Sequence, residues 1–209
     1  MAFAQDRWQH LCDGLGCPSA SSRFDDIRAA YGQRHRHYHT AQHIAECLAV
    51  FDESGRPAKK PFEVEFAIWL HDIVYRPRRS DNESASAELA TQWLDVGGAR
   101  AETVDRVARL IEVTKHDAEP ESPDEALLLD VDLNVLGTPA ERYEEYEAQV
   151  RREYRWVPGP LFRRRRAELL EAFLNRDPLY NTPWFRSRFE DQAKRNLRRA
   201  IANLTGRAV

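Results

Sequence analysis

Four of the chain's seven histidines stand within the run RHRHYHTAQHI, from Arg34 to Ile44. Histidine is the side chain whose charge changes near neutral pH, and it is the commonest metal ligand. His39 and His43 are four apart, so a helix over this stretch sets both on one face, beside the apolar face of Ile44 and Cys47. That spacing suits metal chelation, but taken alone it is weak evidence, because His-rich stretches more often lie on a solvated surface. A second place, IWLHDIVY, puts His71 next to Asp72. His71 extends the apolar row Val64, Ala67 and Ile68, with Tyr75 a turn beyond, so the pair is expected at the end of a buried helix. An unpaired buried carboxylate is costly. A metal ion would satisfy both residues, whereas an arginine or a helix N-terminus would satisfy Asp72 alone. The third place is LLLDVDLNVLG. On a helix Asp132 lines up with Leu128, Val135 and Leu136 on the core face, and Asp130 points about 200° away, outward, as a cap or surface charge. Together these histidines and aspartates form a mixed nitrogen and oxygen shell suited to Mn²⁺, Fe²⁺, Ni²⁺, Zn²⁺ or Mg²⁺.

The elements that must carry them are helical. Apolar residues recur at helical spacing, glycines are few, and no series of alternating strands is present. Phe3 to Leu15 reads as an amphipathic helix, and Ser21 or Ser22 as the cap of another ending near Tyr31. The segment His39–Ser54 follows, then the SGRPAKKP loop. FEVEFAIWLHDIVY reads as a central buried helix ended by Pro77. Asp81 or Asn82 is expected to cap a helix through Leu94, broken at Gly97-Gly98. Another runs from Ala101 to Lys115. DAEPESPDE reads as an acidic loop, and ALLLDVDLNVL as a helix closed by Gly137 and Pro139. Helices over about 140–155, 160–175 and 184–204 complete the count. The expectation is an all-α, single-domain bundle of about nine or ten helices over residues 1–209, with C-terminal helices 140–204 packing on the core motifs at about 31–137.

Composition narrows the partners. A net charge of −3 gives no overall attraction for nucleic acid or an anionic membrane. The basic run Arg163–Arg166 has no interleaved stacking aromatics and reads as a solvated helix face. No apolar run approaches the roughly 20 residues of a membrane span, and residues 1–20 do not resemble a secretory leader. Three cysteines, an odd number, suggest reduced thiols. The expectation is a cytoplasmic protein; homo-oligomer formation stays open.

The order H…HD…D resembles the HD superfamily of metal-dependent phosphohydrolases. RHYHTAQHI, FAIWLHDIVYRPRRSDNESASAEL, TKHD, LLLDVDLNVLG, YEAQVRREY and FEDQAKRNL resemble its small cytosolic branch. These blocks span residues 31–200. The resemblance implies a helical HD-type domain holding a divalent metal through His71, Asp72 and Asp132. For the first ligand, YHTAQHI is similar to a stretch of the cyclic-nucleotide phosphodiesterases, which makes His43 the ligand and His39 the general acid. Other members of the superfamily imply His39 as ligand; His43 is preferred. His35 and His37 match nothing and read as loop.

The implied reaction is hydrolysis of a phosphoester in a small phosphorylated metabolite, a nucleotide first, by a metal-activated water. His116 of VTKHD is a second candidate proton donor, a ligand for a further metal, or a helix-end histidine offsetting the dipole. Glu83 of DNESASA would orient the water, or cap its helix. Lys115, Arg78 and Arg79 are candidate phosphate binders. His71-Asp72 is followed by IVYRP, without the acidic extension of the alarmone hydrolases, which counts against that substrate. The competing reading is a non-catalytic HD-type module that binds a nucleotide or a metal.

Overall fold

A computed structural model describes residues 2–206. Among them the chain is all-α, with ten α-helices, two 3-10 helices and no strand. No helix among them is long and apolar enough to cross a membrane. The chain divides into two compact units, Met1–Asp132 and Leu133–Val209.

The first unit runs α1 (Gln5–Gly14), a 3-10 helix (Pro18–Arg23), α2 (Phe24–Tyr31), α3 (Ala41–Glu53), α4 (Pro61–Leu70), α5 (Asn82–Gly97), α6 (Ala101–Val113) and α7 (Pro123–Asp132). Its centre is α4, which packs against α1, α3, α5, α6 and α7. Pro61 pre-sets the first turn, and apolar residues on every side leave α4 no solvent face. Two glutamates are buried with it. Glu63 takes two hydrogen bonds from Arg106, at 2.6 and 2.7 Å. Glu65 is held by Arg7 at 2.8 Å and by Arg56. Each acid therefore meets a guanidinium, the condition for burying charge.

Several boundaries differ from the periodic reading. α3 begins at Ala41, because the Thr40 hydroxyl accepts a bond from the Gln42 amide and stops the helix there. His39 therefore lies before the helix and does not share a helical face with His43. α4 ends at Leu70 rather than at Tyr75, with His71 as its C-cap. β-branched Ile73 and Val74 and the restriction on Arg76 ahead of Pro77 oppose continuation. Ser21 and Ser22 lie in the first 3-10 helix, and neither caps α2. Asp81 is the N-cap of α5 without a capping bond. α5 runs on to Gly97 and closes at Gly98, whose φ of +82° suits glycine. α6 stops at Val113, two residues short of Lys115.

α7 starts inside the expected acidic loop. The Ser122 hydroxyl accepts the Glu125 amide at 3.2 Å, and the Glu125 carboxylate accepts the Glu121 amide at 2.7 Å. This is close to a capping box, and S-P-D-E is its sequence mark. Asp130 is a correction: it is 1% exposed, not a surface charge. α7 packs against α3, α4 and α6, so no broad face remains for it to point out of.

The second unit opens with a 3-10 helix (Leu133–Gly137), followed by α8 (Ala140–Glu153), α9 (Gly159–Leu174) and α10 (Pro183–Thr205). A Cβ on Gly137 would meet the Cβ of Phe189 at 2.5 Å, so only glycine fits this approach. Asn196 donates to the carbonyls of Leu136 and Thr138, both at 2.9 Å, and ties α10 to the opening turn. Arg163, Arg164 and Arg165 are exposed as expected, but Arg166 is buried, with Glu147 at 2.6 Å and the Tyr146 ring beneath it.

Candidate metal centre

Three side chains of the first unit, His43, His71 and Asp132, bring ligand-type atoms together, and Asp72 lies beside the two histidines. His43 comes from α3, His71 and Asp72 from the turn after α4, and Asp132 from the last position of α7. The two Nε2 atoms are 3.2 Å apart. Asp132 Oδ1 lies 3.3 Å from each of them. Asp72 Oδ2 lies 3.2 Å from His71 Nε2 and 3.6 Å from His43 Nε2. A metal with ligands at about 2.0–2.2 Å sets neighbouring ligand atoms roughly 2.8–3.6 Å apart. The separations among His43, His71 and Asp132, and those of Asp72 from the two histidines, fall in that window. His43, His71 and Asp132 form a group that could hold a metal ion, and Asp72 closes its side.

The tautomer of His71 agrees with that use. Its Nδ1 is 3.0 Å from the Ile68 carbonyl, which can only accept, so Nδ1 carries hydrogen and neutral Nε2 turns a lone pair to the cluster. For His43, Nδ1 lies 3.6 Å from Cys47 Sγ, one turn on, and that thiol donates to the Val131 carbonyl at 3.6 Å. The sulfur can accept from Nδ1, again leaving Nε2 toward the centre. Two imidazole lone pairs and two carboxylates at this range repel unless a cation lies among them. In the metal-free protein a proton on His71 would serve in its place. Burial works against charging His71, but Asp72 and Asp132 outweigh it and hold its pKa well above the ordinary value. Burial likewise opposes ionising the two acids, and the histidines reverse it. His71 and then His39 draw Asp72 below the usual carboxylate value, and His71 and His116 do so for Asp132.

The other sequence-selected residues fall at different distances from this point. His116 donates from Nε2 to Asp132 Oδ2 at 2.9 Å, leaving Oδ1 to the cluster. It sits just past α6 at φ +58°, a conformation few side chains adopt. His39 stacks on Tyr75 with ring centroids 4.0 Å apart and lies 6.1 Å from the His43 ring, beside rather than within the four-atom group. Glu83 is half-buried in the first turn of α5. Burial first, then the charges of Asp72 and Asp132, raise its pKa against the opposing pull of its own backbone bond and Lys115. Lys115 reaches Ser84 Oγ at 2.8 Å and pairs with Glu112. Arg79 is spent on Asp81 at 2.6 Å and lines a surface cleft of about 650 Å³ with Val74, Glu88 and Gln92. Arg78 is exposed.

Sequence reasoning missed what holds the HD turn. Residues 72–76 are non-helical, yet their backbone is bonded by side chains from elsewhere. Arg36 donates to the Asp72 and Ile73 carbonyls at 2.6 and 2.8 Å. Ser86 Oγ serves both the amide and the carbonyl of Val74. His35 Nε2 is 2.8 Å from the Tyr75 carbonyl, and Asn82 pairs with the amide and carbonyl of Arg76 at 3.0 and 3.1 Å. His35 is exposed loop, as expected, and also donates to this turn. Asn82 and Ser86 are four apart and buried on α5, a small-polar stripe that could have signalled a backbone partner. Arg36 has no such signature. All three cysteines are free and buried. No family model, curated protein or solved structure matches the chain, so what this centre can do follows from its own residues.

Proposed function

We propose that the chain is a metal-dependent phosphohydrolase of the HD type, cleaving a phosphoester of a small phosphorylated metabolite, with a nucleotide as the first candidate. The observation that supports it is the convergence of two Nε2 atoms and two carboxylate oxygens at 3.2–3.6 Å from neighbouring members of the group. His43, His71, Asp72 and Asp132 would hold Mn²⁺, Fe²⁺, Ni²⁺, Zn²⁺ or Mg²⁺. A bound cation supplies Lewis acidity toward a phosphoryl oxygen and lowers the pKa of a water.

The remaining roles belong to the chain itself. Glu83, half-buried and facing two aspartate charges, is suited to take a proton from the attacking water. His39, held against Tyr75, is the donor to the departing alkoxide. His116 orients Asp132 through Oδ2. Lys115, whose charge acts on Glu83, is the candidate cation for a phosphate oxygen, while Arg79 is engaged with Asp81 at the surface.

Metal analysis of purified protein, with and without added Mn²⁺ or Ni²⁺, comes first. A screen of nucleoside mono-, di-, tri- and cyclic phosphates follows. The expected result is bound metal and hydrolysis that Asp72→Ala abolishes. Absence of bound metal under all conditions would sink the reading, and hydrolysis surviving in Asp72→Ala would put catalysis elsewhere. Metal binding without hydrolysis of any phosphate would favour the non-catalytic module. His43→Ala should lose metal, while His39→Ala should keep metal and lose turnover.

A further inference from the structure

Arg36 lies in the middle of the histidine run, and it is 4% exposed. Burying a guanidinium costs on the order of several kcal/mol unless its donors are met. Here they are met largely by main chain. Nη1 donates to the carbonyls of Asp72 at 2.6 Å and His39 at 3.2 Å. Nη2 donates to the Ile73 carbonyl at 2.8 Å, and Nε to Gln33 Oε1 at 3.1 Å. The guanidinium carbon lies 5.1 Å from the centre of the Tyr31 ring and 5.5 Å from that of Tyr75.

The geometry explains why the residue is arginine. The guanidinium is rigid and planar, with donors in fixed directions. Two of its nitrogens on the carbonyls of residues 72 and 73 fix the two peptide planes that flank Ile73, the first of which leaves directly from the Cα of Asp72. The same Nη1 fixes the carbonyl of His39. One side chain thereby sets the backbone of a metal-type ligand and of the neighbouring histidine. Its charge also stands just past the C-terminal end of α4, where a cation is favoured. Tyr31 assists by donating its hydroxyl to the Trp69 carbonyl at 2.8 Å.

We propose that Arg36 is a positioning residue for the candidate metal centre, acting through the Asp72, Ile73 and His39 carbonyls that its guanidinium holds. The proposal rests on the metal reading given above.

The test is a Co²⁺ titration of the full chain, followed by visible absorption, with circular dichroism recorded in parallel. Arg36→Met fills similar volume without donors. It should stay helical and bind Co²⁺ about 10- to 100-fold more weakly, the usual effect of removing a group that orients ligands. Arg36→Lys keeps the charge but not the fork, and should bind less weakly than Arg36→Met, with an altered cobalt spectrum. Guanidinium ion below denaturing concentration should restore part of the affinity of Arg36→Ala. Wild-type affinity and spectrum in Arg36→Met would overturn the role while leaving the metal site standing. Loss of helicity in both Arg36→Met and Arg36→Lys would make Arg36 a residue of the fold and overturn it too. A wild-type chain with no cobalt spectrum would overturn the metal reading itself, and the role of Arg36 with it.

Discussion

His43 and His71 bring nitrogen atoms to within 3.2 Å of each other from two unlike kinds of backbone. His43 sits inside α3, where the helix's own hydrogen bonds set the chain and helical periodicity sets the direction of the ring. His71-Asp72 sits on the end of a helix that has stopped, and the five residues from Asp72 to Arg76 borrow their backbone partners from Arg36, His35, Asn82 and Ser86. A ligand on the helix can be changed with the backbone left in place. A ligand on the turn is only as well placed as the remote side chains that hold it.

The largest expected effect comes from testing that contrast at the two histidines. Both His43→Ala and His71→Ala should lower metal affinity by more than about 100-fold, beyond what orienting groups contribute. Only His71→Ala also leaves the Ile68 carbonyl buried without its ring N–H. That should cost about 1–3 kcal/mol of stability in addition. Urea unfolding of both metal-free variants checks it. Equal midpoints for the two would remove the distinction between helix and turn.

Next come the borrowed partners themselves. Asn82→Ala and Ser86→Ala each leave part-buried main-chain groups of the turn without their side-chain partners, at about 1 kcal/mol. Because the turn carries Asp72, each should also weaken metal binding by about tenfold. The comparison is with Thr40→Ala, which removes the cap of α3 at about 1 kcal/mol and should leave metal affinity unchanged. Calorimetric metal titration of the three variants separates the two regions. A Thr40→Ala affinity loss as large as that of Ser86→Ala would mean the helix is no more autonomous than the turn.

The same contrast governs what could be read from the sequence. The all-α class followed from periodicity and breakers, and Asp132 was legible as an inward acid because a row of Leu128, Val135 and Leu136 gave it a direction. The same argument failed for Asp130, since α7 is enclosed by α3, α4 and α6 and has more than one inward side. His39 was misplaced onto α3 because its spacing from His43 competed with the capping signal of Thr40, and the cap won. The turn after Leu70 was only partly legible. Asn82 and Ser86 lie 6 and 12 residues from the groups they hold, but Arg36 lies 36 and 37 residues away, and a donor to a remote carbonyl leaves no pattern near either residue.

A proton on His71 in place of metal gives a smaller, pH-dependent effect. Asp72 and Asp132 are held below their ordinary 3.8, and His71 above its ordinary 6.5. The lowered acids add stability that is complete above their unfolded values and is lost as pH falls through their folded ones. The raised imidazole adds stability that is complete below its unfolded value and is lost as pH rises through its folded one. Metal-free protein should therefore be most stable between about pH 4 and 6.5. A divalent metal replaces the proton and should carry the plateau to higher pH. Urea midpoints across pH, with chelator and with Mn²⁺, test this; a chelated protein that keeps gaining stability above neutrality contradicts it.

The smallest effect sharpens the comparison most, because it deletes one heavy atom on each side of it. Cys47→Ala removes the sulfur that faces His43 Nδ1, and Ser86→Ala removes the oxygen that holds Val74. His43 keeps its helix and its burial after the loss, so what weakens is the preference for one tautomer and a long thiol contact to the Val131 carbonyl. Its metal affinity should fall by less than about tenfold, with unfolding little changed. Ser86→Ala should exceed Cys47→Ala in both readouts, because its loss is passed to the backbone of residues 72–76. If the order reverses, ring tautomer rather than turn geometry is what limits metal binding in this centre.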